Sequence, residues 1–223
     1  MNAVGKGLVS ATLGLAAFGL LLFLPAGTFH YWQAWVFLAV FALSTWIPSV
    51  YLMRTNPAAL ERRMRGPLAE TRTMQRILIA VIFVCFPAMF VVSALDHRFG
   101  WSPVPAAVSL VGDVLVASGL ILDMLVIIQN SYAAVNVVVE AGQRLVSSGL
   151  YGLVRHPMYT GNVILMLGVP LALGSYWGLV FVIPGLIVLV LRIRDEEDLL
   201  AHELSGYREY THQVRYRLVP YVW

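Results

Sequence analysis

Two clusters of charged and aromatic residues stand out in a chain that is otherwise apolar. The first is Arg155, His156, Pro157, Tyr159, Thr160 and Gly161, within "GLYGLVRHPMYTGN" at residues 149–162. Pro157 suits the first position of a helix, where its missing N–H would be unpaired in any case. A helix starting there presents free N–H groups and the positive end of its dipole, a setting for a carboxylate or phosphate. The Arg155 guanidinium strengthens that setting. His156, Tyr159 and Thr160 lie at helical neighbour spacing and can line one pocket wall. Gly149 and Gly152 permit unusual dihedrals just before them, and Gly161 lets another helix or a flat ring come close. Taken alone, the cluster also fits an interfacial anchor, because Arg, His and Tyr are ordinary at a membrane border.

The second cluster is "RIRDEEDLLAHELSGYREYTHQVRYRLVP", residues 192–220. Asp195, Glu196, Glu197 and Asp198 follow directly on Arg192 and Arg194. Leu199, Leu200, Leu204, Tyr207 and Tyr210 form an irregular apolar stripe that predicts an amphipathic helix, bent or ended near Gly206. In the plainer reading, Arg192 pairs with Glu196 at i,i+4 on a solvated face. In the chemical reading, acids that could hold an ammonium face Arg155 and a helix terminus that could hold a carboxylate. Such a site would take a zwitterion.

The elements that must position these groups are set by composition. The chain has 223 residues, 59% hydrophobic and 12% charged, with a mean hydropathy of +0.77. A soluble domain has about a quarter of its residues charged, so this is an integral membrane protein by composition. Six apolar stretches run over roughly 7–24, 32–53, 75–95, 104–128, 158–173 and 176–194. A bilayer core needs about 20 helical residues. The first four qualify, while the short fifth is separated from the sixth by "LGSYWG", so five or six spans are expected. The first stretch follows Lys6, lacks a small-residue cleavage site and precedes another long apolar run, and so reads as a retained span.

The net charge of +3 does not point to nucleic acid, because the basic residues lie in short loops beside the apolar runs. Arg54, Arg62, Arg63, Arg65, Arg72 and Arg76 surround the second connection. Arg144 and Arg155 follow the fourth span, and Arg192, Arg194, Arg208, Arg215 and Arg217 close or follow the sixth. With six spans all of these share one face, and only Arg98 lies on the other. The positive-inside rule then makes that face, both termini and both clusters cytoplasmic. The expected fold is all-α: a multi-pass transmembrane helical bundle of five or six spans with a cytoplasmic C-terminal helical tail. Residues 1–128 would supply N-terminal transmembrane helices and residues 129–223 the catalytic core, in one integrated membrane domain. The single cysteine, Cys85, reads as a small buried apolar residue.

Together, "GLYGLVRHPMYTGN" and, about forty residues later, "RIRDEEDLL…GYREYTHQVRYRLVP" resemble the isoprenylcysteine carboxyl methyltransferase family of integral membrane enzymes. More distantly they resemble the phospholipid methyltransferases that share this C-terminal core. The resemblance covers about residues 130–223, and "NPAALERRM" and "PAGTFHYWQAW" are similar to bacterial members, which implies an inner-membrane location. It implies S-adenosylmethionine as methyl donor, while the residues themselves offer no partner set for a metal site and no nucleic-acid patch. His156, Tyr159 and Gly161 would lie at the cofactor, Arg155 and Pro157 would shape its site, and Glu196 would bind it. Glu196 and Glu197 match the family's paired glutamates, and Arg192 matches an arginine near the acceptor, so Arg192 and Glu197 are the expected catalytic pair. Tyr207 and Tyr210 match tyrosines that close the site over the substrate. Leu150 departs from the pattern, standing where a proline commonly precedes the tyrosine.

The implied acceptor is a lipidic or isoprenylcysteine-like carboxylate entering from the bilayer. Such a carboxylate is already a nucleophile, so alignment and removal of water would do most of the catalysis, with roughly 7–11 kcal/mol available from orientation. An amine acceptor, as in phospholipid methylation, would need a base, and Glu197 or His156 would be the candidate. Two further readings stay open: a sterol reductase-like enzyme using a nicotinamide dinucleotide, and a small transporter built on Asp113, Asp123 and His156. Asp113 and Asp123 fall in the fourth span, where ionisable groups are costly. His97 and Arg98 read as outer loop, His30, Trp32 and Trp35 as an aromatic belt, and Asn130 and Asn136 as possible pocket-lining groups.

Overall fold

The computed structural model describes residues 3–64, 72–133, 138–140 and 142–223, with side chains from residue 12 onward except 60, 61, 63 and 64. Arg65 and Asn136 lie outside the described residues, as do the side chains of Lys6 and Arg63. Among the described residues eight α-helices form: α1 (Ala3–Ala26), α2 (Trp32–Thr55), α3 (Pro57–Met64), α4 (Thr73–Phe99), α5 (Ala106–Gln129), α6 (Pro157–Ala172), α7 (Val182–Glu203) and α8 (Tyr207–Gln213). Short 3-10 turns cover Gly149–Gly152 and Trp177–Phe181. No strand occurs among the described residues.

Among the described residues four helical stretches are long and apolar enough to cross a membrane: α2, α4, α5 and Trp177–Glu203. The chain is an integral, multi-pass membrane protein, and large apolar side chains such as Leu20, Val84 and Ile183 stand more than half exposed along its helices. α6, with 16 residues, rises only about 24 Å, short of the hydrocarbon thickness. It turns back at Leu173–Tyr176, where Gly174 takes a φ of +68°, and the chain re-enters through Trp177–Phe181 into α7. Successive long helices alternate in direction. The α2–α4 connection, the α5–α6 connection and the C-terminal tail therefore meet at one end, joined there by contacts from Arg72 to Asp195 and from Tyr159 to Glu196.

The tightest helix pair is α5 with α6, and glycine makes it. A Cβ on Gly112 would land on the backbone of Leu171 and Ala172. One on Gly119 would lie 2.9 Å from Gly161 O, and one on Gly168 would lie 2.9 Å from Val116 N. Two glycines seven residues apart on each helix thus let the backbones touch, the means by which helices associate in lipid. The largest apolar cluster joins α1, α2, α4, α5 and α6 through Leu22, Phe37, Phe90, Val116 and Leu173. Tyr31 sits in it fully buried and donates its hydroxyl to Leu173 O at 2.7 Å.

At the end opposite the two clusters, the buried Asp96 carboxylate accepts from Ser102 N (2.7 Å), Ser102 Oγ (2.6 Å) and Ser175 Oγ (2.6 Å). This satisfied carboxylate ties α4 to the α6–α7 turn. His97 and Arg98, expected in a loop, instead occupy the last turn of α4, which runs on until Gly100 ends it with φ +65°. His97 stacks on Tyr31 with ring centroids 3.9 Å apart, and Arg98 donates to Pro25 O. Cys85, expected to be buried, is only partly so, because it lies on a stretch of α4 whose Phe83 and Val84 face outward.

Candidate active site

Both sequence clusters converge on one cleft at the connected end of the bundle. Pro157 opens α6 at its first turn, as the sequence predicts, and His156 is the residue before it. α7 continues straight out of its apolar stretch to Glu203, so the four acids project from helix rather than loop. Gly206, at φ +82°, reverses the chain into α8 and places Tyr207 and Tyr210 on the cleft. The cleft is lined by Arg155, His156, Pro157, Met158 and Tyr159 on one side, by Glu196 and Leu200 of α7 with Leu204 just past its end, and by Tyr207 and Tyr210. The α5–α6 connection supplies the rest, including Asn130, Tyr132, Arg144 and Tyr151.

The two adjacent glutamates do different things. Glu197 Oε1 lies 3.1 Å from Arg155 Nε and 3.2 Å from His156 Nε2, while Oε2 accepts from Arg217 Nε at 2.9 Å. Both of its oxygens are thus engaged by neighbouring cationic or imidazole groups. Glu196 lines the cleft and accepts from Tyr159 Oη at 2.5 Å. Tyr159 Oη in turn accepts from Arg192 Nε at 2.9 Å. The expected Arg192–Glu196 pairing is therefore mediated by a tyrosine from α6, and the buried Arg192 sits behind the cleft wall. Asp195, on the next face of α7, accepts from Arg72 (2.7 Å) and from Gln75 Nε2 (2.5 Å), which fixes α7 to α4.

Backbone and side-chain bonds from neighbouring segments hold the walls. Gln129 Oε1 accepts from Leu150 N at 3.0 Å, and Gln129 Nε2 donates to Ser148 O. Asn130 Nδ2 donates to Tyr151 Oη at 3.1 Å, and Tyr210 Oη donates to Tyr151 O at 2.7 Å. Across the cleft mouth, Asn56 accepts from Ala59 N to start α3, and its Arg62 then reaches Glu140 (3.0 Å) and the face of Tyr132 (4.7 Å to the ring centroid). Burial pushes the Tyr151 phenol up to about 12, with the Asn130 bond opposing and Glu196 adding to the rise. Burial likewise raises Tyr207, helped by Glu197 and Glu196, and raises Tyr210, helped by Tyr151. All three rings are neutral donors at physiological pH.

Several expected residues sit beside the cleft rather than on it. Gly161 packs against Gly119 O and the Asp123 carboxylate, so the helix it admits is α5. Thr160 Oγ1 donates to Leu218 O of the tail at 2.8 Å. Asp113 is buried in α5, where its carboxylate has no hydrogen-bond partner among the described residues. Sequence reasoning did not single out Gln75, Gln129, Tyr151 or Arg217 as site residues. Each is held by contacts from residues 20 to 120 positions away, which no local spacing announces.

Residues 108–205, from α5 to just past α7, match the family model for phospholipid methyltransferases. The Delta(14)-sterol reductase TM7SF2 of Mus musculus is 36% identical over 85 residues, covering 37% of this chain and 20% of that protein. The chain thus spans about a fifth of the length of the curated relative it matches. The structure of the eukaryotic intramembrane Ras methyltransferase ICMT (isoprenylcysteine carboxyl methyltransferase) aligns with 100% of this chain and 88% of that one. Identity in that alignment is 17% and the TM-score is 0.47. The chain is an all-helical integral membrane protein whose residues 108–205, the stretch that brings Arg155, Glu196 and Glu197 together, match the phospholipid methyltransferase family model.

Proposed function

We propose that the cleft binds S-adenosylmethionine and that the chain transfers its methyl group to a lipid-type acceptor reaching the site from the bilayer. The observation that supports this most is the division of charge around the cleft. Glu196 presents a carboxylate on one wall, and Arg155 with the start of α6 presents positive charge on the other. A methyl donor carrying an amino acid moiety needs both. The residues fit it in a second respect: Tyr207 Oη is buried on the cleft with no hydrogen-bond partner among the described residues. A buried unpaired hydroxyl costs about 1–3 kcal/mol, and a polar ligand would offset it.

In this reading Glu196 holds the ammonium, and Arg155 with the α6 terminus holds the carboxylate. When bound, the cofactor supplies an electrophilic methyl on sulfur. The protein's own part is alignment and dehydration. Leu200, Leu204, Tyr207 and Tyr210 keep water from one side. Tyr159, fixed by Arg192 and Glu196, sets the wall nearest the membrane helices. A carboxylate acceptor needs no base. For an amine acceptor, His156, which donates Nε2–H to the Glu197 carboxylate, would take the proton at Nδ1. The connected end of the bundle, with both termini, is assigned to the cytoplasm, from which the soluble cofactor enters.

Glu196→Ala, which removes a charged contact, and His156→Ala, which removes part of the cleft wall, are expected to weaken S-adenosylhomocysteine binding by at least about tenfold each, in calorimetry on detergent-solubilised protein. Wild-type affinity in both variants would remove the cleft from the reading. The sterol reductase match supports a second reading, in which the same cleft takes a nicotinamide dinucleotide.

A further inference from the structure

The tail beyond α8 braces His156, the residue before α6, and it does so through the backbone and the side chain of one residue. Arg217 O accepts from His156 N at 2.9 Å, while Arg217 Nε donates to Glu197 Oε2 at 2.9 Å. Glu197 in turn lies 3.2 Å from His156 Nε2. Arg217 therefore holds His156 directly at its backbone and through one carboxylate at its ring. The neighbouring rungs repeat the pattern, with Arg155 N donating to Tyr216 O at 2.9 Å and Thr160 Oγ1 to Leu218 O at 2.8 Å. Arg217 is itself steadied over the Trp223 ring, 5.2 Å from its centroid. Glu197 is absent from the cleft lining that Arg155, His156 and Glu196 share. The glutamate and the tail arginine thus stand behind the wall, and residues 206–223 lie outside the matched family segment.

We propose that Arg217 is a positioning residue for the methyl-donor site: acting through Glu197, it fixes Arg155 and His156 in the geometry the donor requires. This rests on the reading of the cleft given above. Without Arg217, Glu197 keeps Arg155 and His156 as partners but loses its anchor to the tail, and the wall loosens where angular precision of 10–20° is needed.

The test is a double-mutant cycle on the full chain in detergent, reading S-adenosylhomocysteine affinity by calorimetry and folding by thermal melting. Arg217→Ala is expected to weaken binding about tenfold, within the range of coupling between contacting residues. Arg217→Lys, which keeps the charge, recovers part of that loss. Because Arg217 acts through Glu197, Arg217→Ala combined with Glu197→Gln binds no more weakly than Glu197→Gln alone. If Arg217→Ala does not fold, Arg217→Gln and Arg217→Lys carry the same cycle. Losses that add, or wild-type affinity in a folded Arg217 variant, would overturn the inference and leave the methyl-donor reading standing. Absence of binding by folded wild-type protein would overturn that reading, and this inference with it.

Discussion

Tyr159 shows how one side chain can organise several charges. Its hydroxyl is shared between Arg192 Nε and Glu196 Oε2, so a buried cation and a cleft carboxylate are coupled through that oxygen. Tyr159→Phe removes only the shared oxygen and is expected to destabilise the protein by about 1–3 kcal/mol, the cost of depriving buried polar groups of a partner. Thermal melting measures this, and an unchanged melting temperature would show that the hydroxyl bridges nothing of consequence. Part of the cleft was legible in the sequence, because Arg155, His156, Pro157 and Tyr159 sit within one turn and Glu196 lies in a run of acids on another. What separates Glu196 from Glu197 was not legible. Adjacent helix positions differ by about 100° in direction, and only the packed structure shows which one meets the cleft and which meets the tail.

At the scale of elements, the α5–α6 pair sets the position of the α6 start and so of the cleft wall. Gly112 and Gly119 on α5 and Gly161 and Gly168 on α6 place the two backbones in contact. Gly112→Ala drives a methyl into the Leu171–Ala172 backbone and is expected to cost about 1–3 kcal/mol or more, as overpacking does. Gly14→Ala, where an added Cβ meets nothing within 4 Å, is the neutral control in the same melting experiment. Equal melting temperatures for the two would contradict the close approach. The apolar stretches foretold α1, α2, α4, α5, α6 and α7, because length and hydropathy suffice for that, while the polar α3 lay in none of them. The pairing did not show, since two glycines per helix among 18 in the chain carry no label of which neighbour they touch. α4 ran past its expected end for a related reason. Asp96, His97 and Arg98 look like loop residues in sequence, yet each finds a partner in the fold that lets the helix continue.

For the molecule as a whole, the arrangement separates two environments. One end of the bundle is closed by a satisfied carboxylate, Asp96, and by Tyr31 stacked on His97. The other gathers the cleft, the four consecutive acids of α7 and the arginines of three separate connections. Segments outside residues 108–205 complete that end: α3 through Arg62, α4 through Arg72 and Gln75, and the tail through Arg217. We propose that this cleft is built for a sulfonium methyl donor with an amino acid moiety, and the competing dinucleotide offers a direct comparison. Calorimetric titration of the folded, detergent-solubilised wild-type chain with S-adenosylhomocysteine and, separately, with NADPH decides between them. Saturable binding of S-adenosylhomocysteine with none of NADPH is the predicted result, and binding of NADPH alone would contradict the account.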